Sequence, residues 1–246
     1  MHQFFVEPSQ IIDKVVYIEG GDVNHIKNVL RMKPGEEISI SNGVDGREYR
    51  CGILRIEEER VVCELRFIKE DGLELPSRVH LFQGLPKADK MELIIQKAVE
   101  LGVYEIIPVE TKRCVVKLDE KKARQKTERW QAIAEAAAKQ SRRRIVPAVT
   151  RPMDFGQALK MAASMDMKLI PYELAEGMGK TKQLLSGVTE GIDIAVFIGP
   201  EGGFEETEIQ KAAEAGLEPI TLGNRILRTE TAGFTVMAWL MYQLEK

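Results

Sequence analysis

The spacing of apolar and polar positions changes once along the chain. Up to about residue 72, short strand-like stretches at 4–7, 36–41, 48–56 and 60–67 are separated by Pro34-Gly35, Asn42-Gly43 and Asp45-Gly46. This pattern predicts a small β barrel or sandwich, interrupted by one short helix over 23–30. A linker over 70–77 follows, carrying Asp71-Gly72 and Pro76. Beyond it strands alternate with helices, the pattern of a mainly parallel sheet covered on both faces. Strands are predicted at 79–83, 104–109, 144–149, 168–172, 193–198 and 219–222. Helices are predicted at 87–101, 119–139, 155–163, 205–215 and 231–244, with a further short one at 182–185. In the first of these, Met91, Ile94, Ile95, Ala98 and Leu101 recur at helical spacing, and Gly102 stands where the helix must stop. In the long one, Trp130, Ile133, Ala134 and Ala137 fall on one side. The fold class is therefore α/β, with residues 1–72 as a β domain and 73–246 as the larger α/β domain.

Composition narrows the picture. The longest apolar runs are strand-sized, which excludes a membrane span. The start, Met1-His2-Gln3-Phe4-Phe5-Val6-Glu7-Pro8, has no basic region leading into an apolar stretch, so a cytoplasmic protein is expected. Cys51, Cys63 and Cys114 are odd in number and far apart, which predicts reduced, buried thiols. His2, His25 and His80 are equally scattered, and no metal is predicted. A net charge of −3 rules out a uniformly basic coat, yet residues 112–151 hold thirteen Lys/Arg against four Asp/Glu. For 121–129 a solvated helix face is an equal explanation. The run Arg142-Arg143-Arg144 calls for a polyanion or acidic neighbours, because adjacent guanidiniums repel.

Two loops carry the candidate chemistry. The strand ending at Ile198 runs into Gly199-Pro200-Glu201-Gly202-Gly203-Phe204, whose three glycines let a ligand approach bare backbone. It matches neither dinucleotide nor nucleotide-phosphate patterns, and Glu205, Glu206 and Glu208 behind it would repel phosphate from the helix start. A phosphate-free adenosine compound such as S-adenosylmethionine escapes that objection. The next strand runs into Gly223-Asn224-Arg225-Ile226-Leu227-Arg228-Thr229-Glu230-Thr231-Ala232, with Thr229 or Thr231 as the expected helix N-cap. Both loops should face one crevice at the carboxyl ends of parallel strands.

These two motifs closely resemble the SPOUT methyltransferases, and within them the 16S ribosomal RNA uridine-N3 methyltransferases. The segments from His25 to Arg31, Lys97 to Val103 and Glu135 to Arg143 resemble the same family, so the likeness spans nearly the whole chain. It implies a PUA-like β-barrel for RNA followed by a SPOUT domain, a mainly parallel sheet tied in a deep trefoil knot. It further implies a homodimer formed through that domain, S-adenosylmethionine as methyl donor, and small-subunit ribosomal RNA as substrate. Carried onto this chain, the cosubstrate contacts are Ile198, Gly199, Pro200, Glu201, Gly202, Leu222, Gly223, Ile226, Leu227 and Thr231, with Pro171 and Tyr172 as a further wall.

The catalytic candidates are Arg228 and Glu230. Arg228 would stabilise negative charge developing on uracil oxygens. Glu230 would orient Arg228 or receive the N3 proton. Lys27, Arg31, Arg142 and Arg143 are the candidates for RNA contact. Competing expectations are a SPOUT enzyme acting on ribose 2′-oxygen or another base, and a non-catalytic ribosome-binding factor. A dinucleotide oxidoreductase is disfavoured, because no glycine fingerprint follows the first strand of the second domain.

Overall fold

The computed structural model describes every residue except 71, 174, 176 and 246. Asp71 of the expected linker turn therefore lies outside the described residues. The chain divides into two compact units: residues 1–74 with 138–146, and residues 75–137 with 147–246.

The first unit contains β1 (Gln3–Phe5), β2 (Ile11–Ile12), β3 (Val15–Glu19), α1 (Gly21–Asn24), β4 (Glu37–Ser41), β5 (Glu48–Ile56) and β6 (Arg60–Lys69). Its strands form one curled sheet in the order β1-β4-β5-β6-β3-β2, antiparallel except for the β1–β4 pair. Register shifts at Arg50/Cys51 and Ile53/Arg55 bend the long β5–β6 ribbon, as bulges do. The concave side is filled by Val16, Ile18, Ile38, Ile40, Ile53 and Val61. Cys51 and Cys63 lie in the same core, where burial pushes both thiols up to about 12. The expected helix is a single α turn that widens into a π turn, His25–Val29. The β2–β3 pair is not among the expected strands: Val15-Val16-Tyr17-Ile18 is apolar throughout, so its alternation of buried and half-buried positions is invisible in residue type.

The 138–146 segment amends the expected division at residue 72. Glu74 holds this strap by accepting from the Arg144 and Ile145 backbone N–H groups at 2.8 and 3.1 Å and from Arg143 Nε at 3.0 Å. Arg144 reaches Glu48 Oε2 at 2.7 Å, while Ser39 Oγ donates to the other Glu48 oxygen at 2.6 Å and Arg50 lies against it. Glu48 and Arg144 are buried, so this is an ion pair withdrawn from water. The strap also pairs with the sheet side through Val146 N–H to Gly43 O at 3.0 Å.

The second unit is a seven-stranded, wholly parallel sheet with helices. Its strands are β7 (Arg78–Gly84), β8 (Glu105–Glu110), β9 (Ala148–Val149), β10 (Met153–Asp154), β11 (Met167–Pro171), β12 (Asp193–Ile198) and β13 (Glu218–Ile220). Its helices are α2 (Lys90–Glu100), α3 (Glu120–Ser141, which ends in the strap), α4 (Phe155–Ala162), α5 (Met178–Ser186), α6 (Glu206–Glu214) and α7 (Thr229–Leu244). The strand order is β10-β8-β7-β12-β11-β13, with β9 also on β8. The central strands are buried on both faces, and Phe82 of β7 stacks on Phe197 of β12 at 4.3 Å. The strand expected at 144–149 is reduced to Ala148–Val149, because its first half belongs to the strap.

Glu48 bears on stability as a buried carboxylate facing two arginines. We expect Glu48→Leu to lower the urea unfolding free energy by about 3 kcal/mol, since it takes the Glu48 carboxylate away from the buried Arg144 guanidinium. A loss below about 1 kcal/mol would show that the strap is held by its other contacts.

Candidate active site

The carboxyl ends of three adjacent parallel strands, β12, β11 and β13, open onto a cavity of about 460 Å³. This volume falls in the roughly 300–1,000 Å³ range of small-molecule sites. Its walls are loops, and buried contacts fix their relative positions. Gly84, at the end of β7, lies so close to the β12 loop that a Cβ there would meet Pro200 N and Cδ at 2.7 Å. Gln83 Nε2 donates to Thr229 Oγ1 at 2.9 Å, and the Thr229 hydroxyl donates to Gly199 O at 2.6 Å. One buried threonine thus joins the ends of β7 and β12 to the start of α7. Thr181 of α5 exchanges two hydrogen bonds with the backbone of Thr221, anchoring the loop after β13.

Within the β12 loop, Gly203 N–H donates to Pro200 O at 2.9 Å, closing a turn with Gly203 at φ +67°. A Cβ on Gly203 or on Gly223 (φ +104°) would meet nothing within 4 Å, so bare backbone is open to a ligand at both positions. Arg113 reaches across from the loop after β8 to donate to Gly202 O at 2.9 Å.

The cavity charges are ordered. Glu201 accepts from Lys87 N–H at 3.1 Å and from Lys90 Nζ at 2.8 Å. Burial by itself would push its pKa up, but the hydrogen bonds from Lys90, its own backbone and Lys87 outweigh that and hold the carboxyl below its ordinary value. These contacts accompany an uncommon left-handed conformation at Ala88, φ +54°. Lys90 Nζ also lies 3.8 Å from Glu230 Oε2, an oxygen closed to solvent and without a hydrogen-bond donor. At the start of α6, Glu205 pairs with Lys112 Nζ at 2.7 Å, which holds its pKa below the ordinary carboxylate value, while Glu208 accepts from Lys112 N–H at 2.9 Å. That helix start is therefore filled by carboxylates.

The structure brings most of the predicted contacts to this cavity. Pro171 and Tyr172 line it from β11, Ile198 to Gly202 from the β12 loop, and Leu222, Gly223, Ile226, Leu227 and Arg228 from the loop after β13. Thr231 does not line it and is exposed on α7. Ile226 is 89% exposed and sits on the rim. Neither expected threonine is the N-cap: α7 starts at Thr229, with Arg228 before it, because the Thr229 hydroxyl is occupied by Gly199 and Gln83. Glu230 lies behind the lining, and its ion partner is Lys90 rather than Arg228. Sequence reasoning missed Lys90, Arg113, Gln83 and Gly84. Only Gly84 left a trace, as a glycine directly after an apolar strand.

The four RNA candidates belong to the first unit, and they separate by exposure. Lys27, Arg31 and Arg142 are exposed, whereas Arg143 is buried against Glu74. The expectation that Arg143 meets phosphate is corrected accordingly: its guanidinium is spent on the strap. Arg31 (φ +54°) and Arg142 (φ +62°) both sit just past helix ends, in the left-handed position usually given to glycine. Among the described residues no group of His, Cys, Asp and Glu is placed to hold a metal, and no helix is long and apolar enough to cross a membrane.

The second unit is thus a parallel sheet with an open glycine cradle at its strand ends, and the first a curled β sheet. Residues 73–241 match the RNA methyltransferase domain family and residues 18–66 match the PUA domain of RNA methyltransferases, so the chain belongs to the RNA methyltransferases. Within that class it is similar to ribosomal RNA small subunit methyltransferase E of Bacillus subtilis, at 38% identity over 100% of this chain and 98% of the relative. The Aquifex aeolicus protein of the same name is 30% identical over 98% of this chain and 99% of the relative. The crystal structure of the Neisseria gonorrhoeae protein of that name, bound to S-adenosyl methionine, superposes with a TM-score of 0.84 at 33% identity, covering 98% of this chain and 97% of that one.

The contact between Gly84 and Pro200 predicts an asymmetry between glycines. Gly84→Ala should destabilise by about 1–3 kcal/mol in urea unfolding, through overpacking against backbone. Gly179→Ala, in open space on α5, should stabilise by about 0.4–1 kcal/mol. Equal effects would show that the β12 loop yields freely.

Proposed function

We propose that this protein transfers the methyl group of S-adenosylmethionine to N3 of one uridine in the decoding region of 16S ribosomal RNA. The observation that carries the reading is the cavity itself: bare backbone at Gly203 and Gly223 beside the apolar side chains of Ile198, Leu222 and Leu227. Those surfaces fit an adenosyl group, and the carboxylates that fill the start of α6 disfavour a phosphate. Gly199, Pro200, Glu201, Gly202, Gly223 and Ile226 would complete the cradle, with Pro171 and Tyr172 closing it from β11. When bound, the compound supplies an electrophilic methyl on a sulfonium. The chain's task is alignment of uridine N3 with that carbon, exclusion of water, and compensation of charge as the N3 proton leaves. Arg228, exposed on the rim, meets the uracil oxygens or the adjoining phosphate.

Lys27, Arg31 and Arg142 are the phosphate contacts of the first unit in this reading, which expects RNA affinity to fall steeply with salt. The reading also includes a knotted catalytic unit. Its support is the strand order, in which β12 lies between β7 and β11 although it follows both in the chain. It includes a homodimer as well: α7 is apolar almost all round, and Phe234, Ala238, Trp239 and Met241 remain half-buried, with Tyr242 79% exposed. A cytoplasmic location follows from a ribosomal substrate.

Small ribosomal subunits from cells lacking the protein, incubated with it and methyl-labelled S-adenosylmethionine, should yield N3-methyluridine at a single site. A label on ribose 2′-oxygen or on another base would overturn the assignment. For assembly, wild type should sediment as a dimer and Trp239→Glu as a monomer, because a charge placed on a buried apolar interface is left unpaired. A wild-type monomer would remove the dimer from the reading.

A further inference from the structure

Lys90 is the one lysine that lines the cavity, among the described residues, and three features set it apart from a surface lysine. It is anchored: Nζ donates to Glu201 Oε1 at 2.8 Å, and Glu201 is itself fixed by the Lys87 N–H. It is backed by a second carboxylate, Glu230, whose Oε2 lies 3.8 Å away, closed to solvent and lacking a hydrogen-bond donor. It retains donors: an ammonium has three N–H groups, and only the bond to Glu201 uses one, since 3.8 Å is beyond hydrogen-bond reach.

A brace for the β7–α2 loop would need Glu201 alone. Burying the Glu230 oxygen without a donor carries a desolvation cost, and Lys90 is its only ion partner among the described residues. Two carboxylates flank one ammonium that lines the cavity and keeps N–H groups to spare. Such a donor is set in place before charge develops, which is the arrangement that lowers a barrier most. Arg228, by contrast, is exposed and has no ion partner among the described residues, so its field is screened by water and salt.

We infer that Lys90 is a catalytic residue: its ammonium donates a hydrogen bond to the uracil carbonyl oxygen beside N3, with Glu201 and Glu230 as positioning residues. As the N3–H bond breaks and its proton passes to water at the cavity mouth, negative charge spreads onto the flanking oxygens. The N3 lone pair then forms the bond to the methyl carbon while the carbon–sulfur bond breaks, leaving a neutral thioether. Lys90 stabilises the oxygen charge in that interval and is not consumed. This inference rests on the uridine-N3 reading proposed above.

The test compares Lys90→Met, Lys90→Arg and Glu230→Gln in single-turnover and steady-state methylation of small subunits, with S-adenosylmethionine affinity measured by calorimetry. Lys90→Met should lower kcat by about 100-fold, the scale of one lost oxyanion donor. Its cosubstrate Kd and the KM for the subunit should stay within about threefold of wild type. Lys90→Arg should recover kcat to within about tenfold of wild type, because the cation is kept while its geometry changes. An unchanged kcat in Lys90→Met, or a loss confined to Kd or KM, overturns the inference and makes Lys90 a brace. If Lys90→Met fails to fold by circular dichroism, Glu230→Gln decides: reduced kcat at unchanged Kd supports the role, and unchanged kcat overturns it. The two levels separate cleanly. Wild type that makes no N3-methyluridine sinks the reading beneath, whereas wild type that makes it alongside a fully active Lys90→Met sinks only the role of Lys90.

Discussion

The site depends on one buried hydroxyl. Thr229 takes a hydrogen bond from the Gln83 amide and gives one to the Gly199 carbonyl, so strand ends from distant parts of the chain share a single polar atom. Buried groups of this kind must be satisfied, and here satisfaction requires all three segments at once. The close approach of Gly84 to Pro200 is the steric counterpart of that link. Together they explain why loops of glycine and small polar residues can form a cavity of fixed shape. The sheet supplies parallel strand ends, and the hydroxyl sets the distance between the loops that leave them.

Charge is then arranged around this frame in pairs that cross between loops. Glu201 is held from the β7–α2 loop by Lys87 and Lys90, and Glu205 and Glu208 are held from the loop after β8 by Lys112. Arg113 adds a bond to the Gly202 carbonyl. The acidic loop after β12 is therefore neutralised by neighbours that precede it in the chain by roughly a hundred residues. Exposed pairs of this type add little stability one by one. Their effect is on position: they fix which face of the glycine turn is bare and which carboxylates are already engaged.

The legible parts of the molecule were those in which residue type and environment agree. The apolar run before Gly199, the helical spacing of Met91, Ile94, Ile95 and Ala98, and the breaker-free 119–139 stretch each announce one element. The two loops were legible because glycines are informative where backbone must be approached. What stayed hidden depended on partners far away in sequence. Lys90 looks like any residue at a helix start until Glu201 and Glu230 are placed beside it. Thr229 reads as an N-cap because its local sequence suits one, and only the tertiary position of Gly199 diverts its hydroxyl. The β3 strand was lost for a different reason, since an all-apolar segment carries no alternation to read.

The triple arginine shows how far such ambiguity extends. Three adjacent guanidiniums imply anionic partners, but sequence cannot say whether these are phosphates or the protein's own carboxylates. The backbone answers. Arg142 takes the left-handed position that ends α3, with the Arg143 N–H returning to Ala138 O at 3.0 Å, and this turn reverses the direction in which successive side chains leave the chain. Arg142 is left in solvent, while Arg143 and Arg144 turn inward to Glu74 and Glu48. A left-handed arginine costs about 1–2 kcal/mol relative to its relaxed form, so the turn needs compensation from the strap's ion pairs. Arg31 sits in the same conformation after the π turn of the same unit, again exposed. Among the described residues four non-glycine residues take a positive φ, Asp13, Arg31, Ala88 and Arg142, and the two arginines among them each end a helical turn of the first unit and stay exposed.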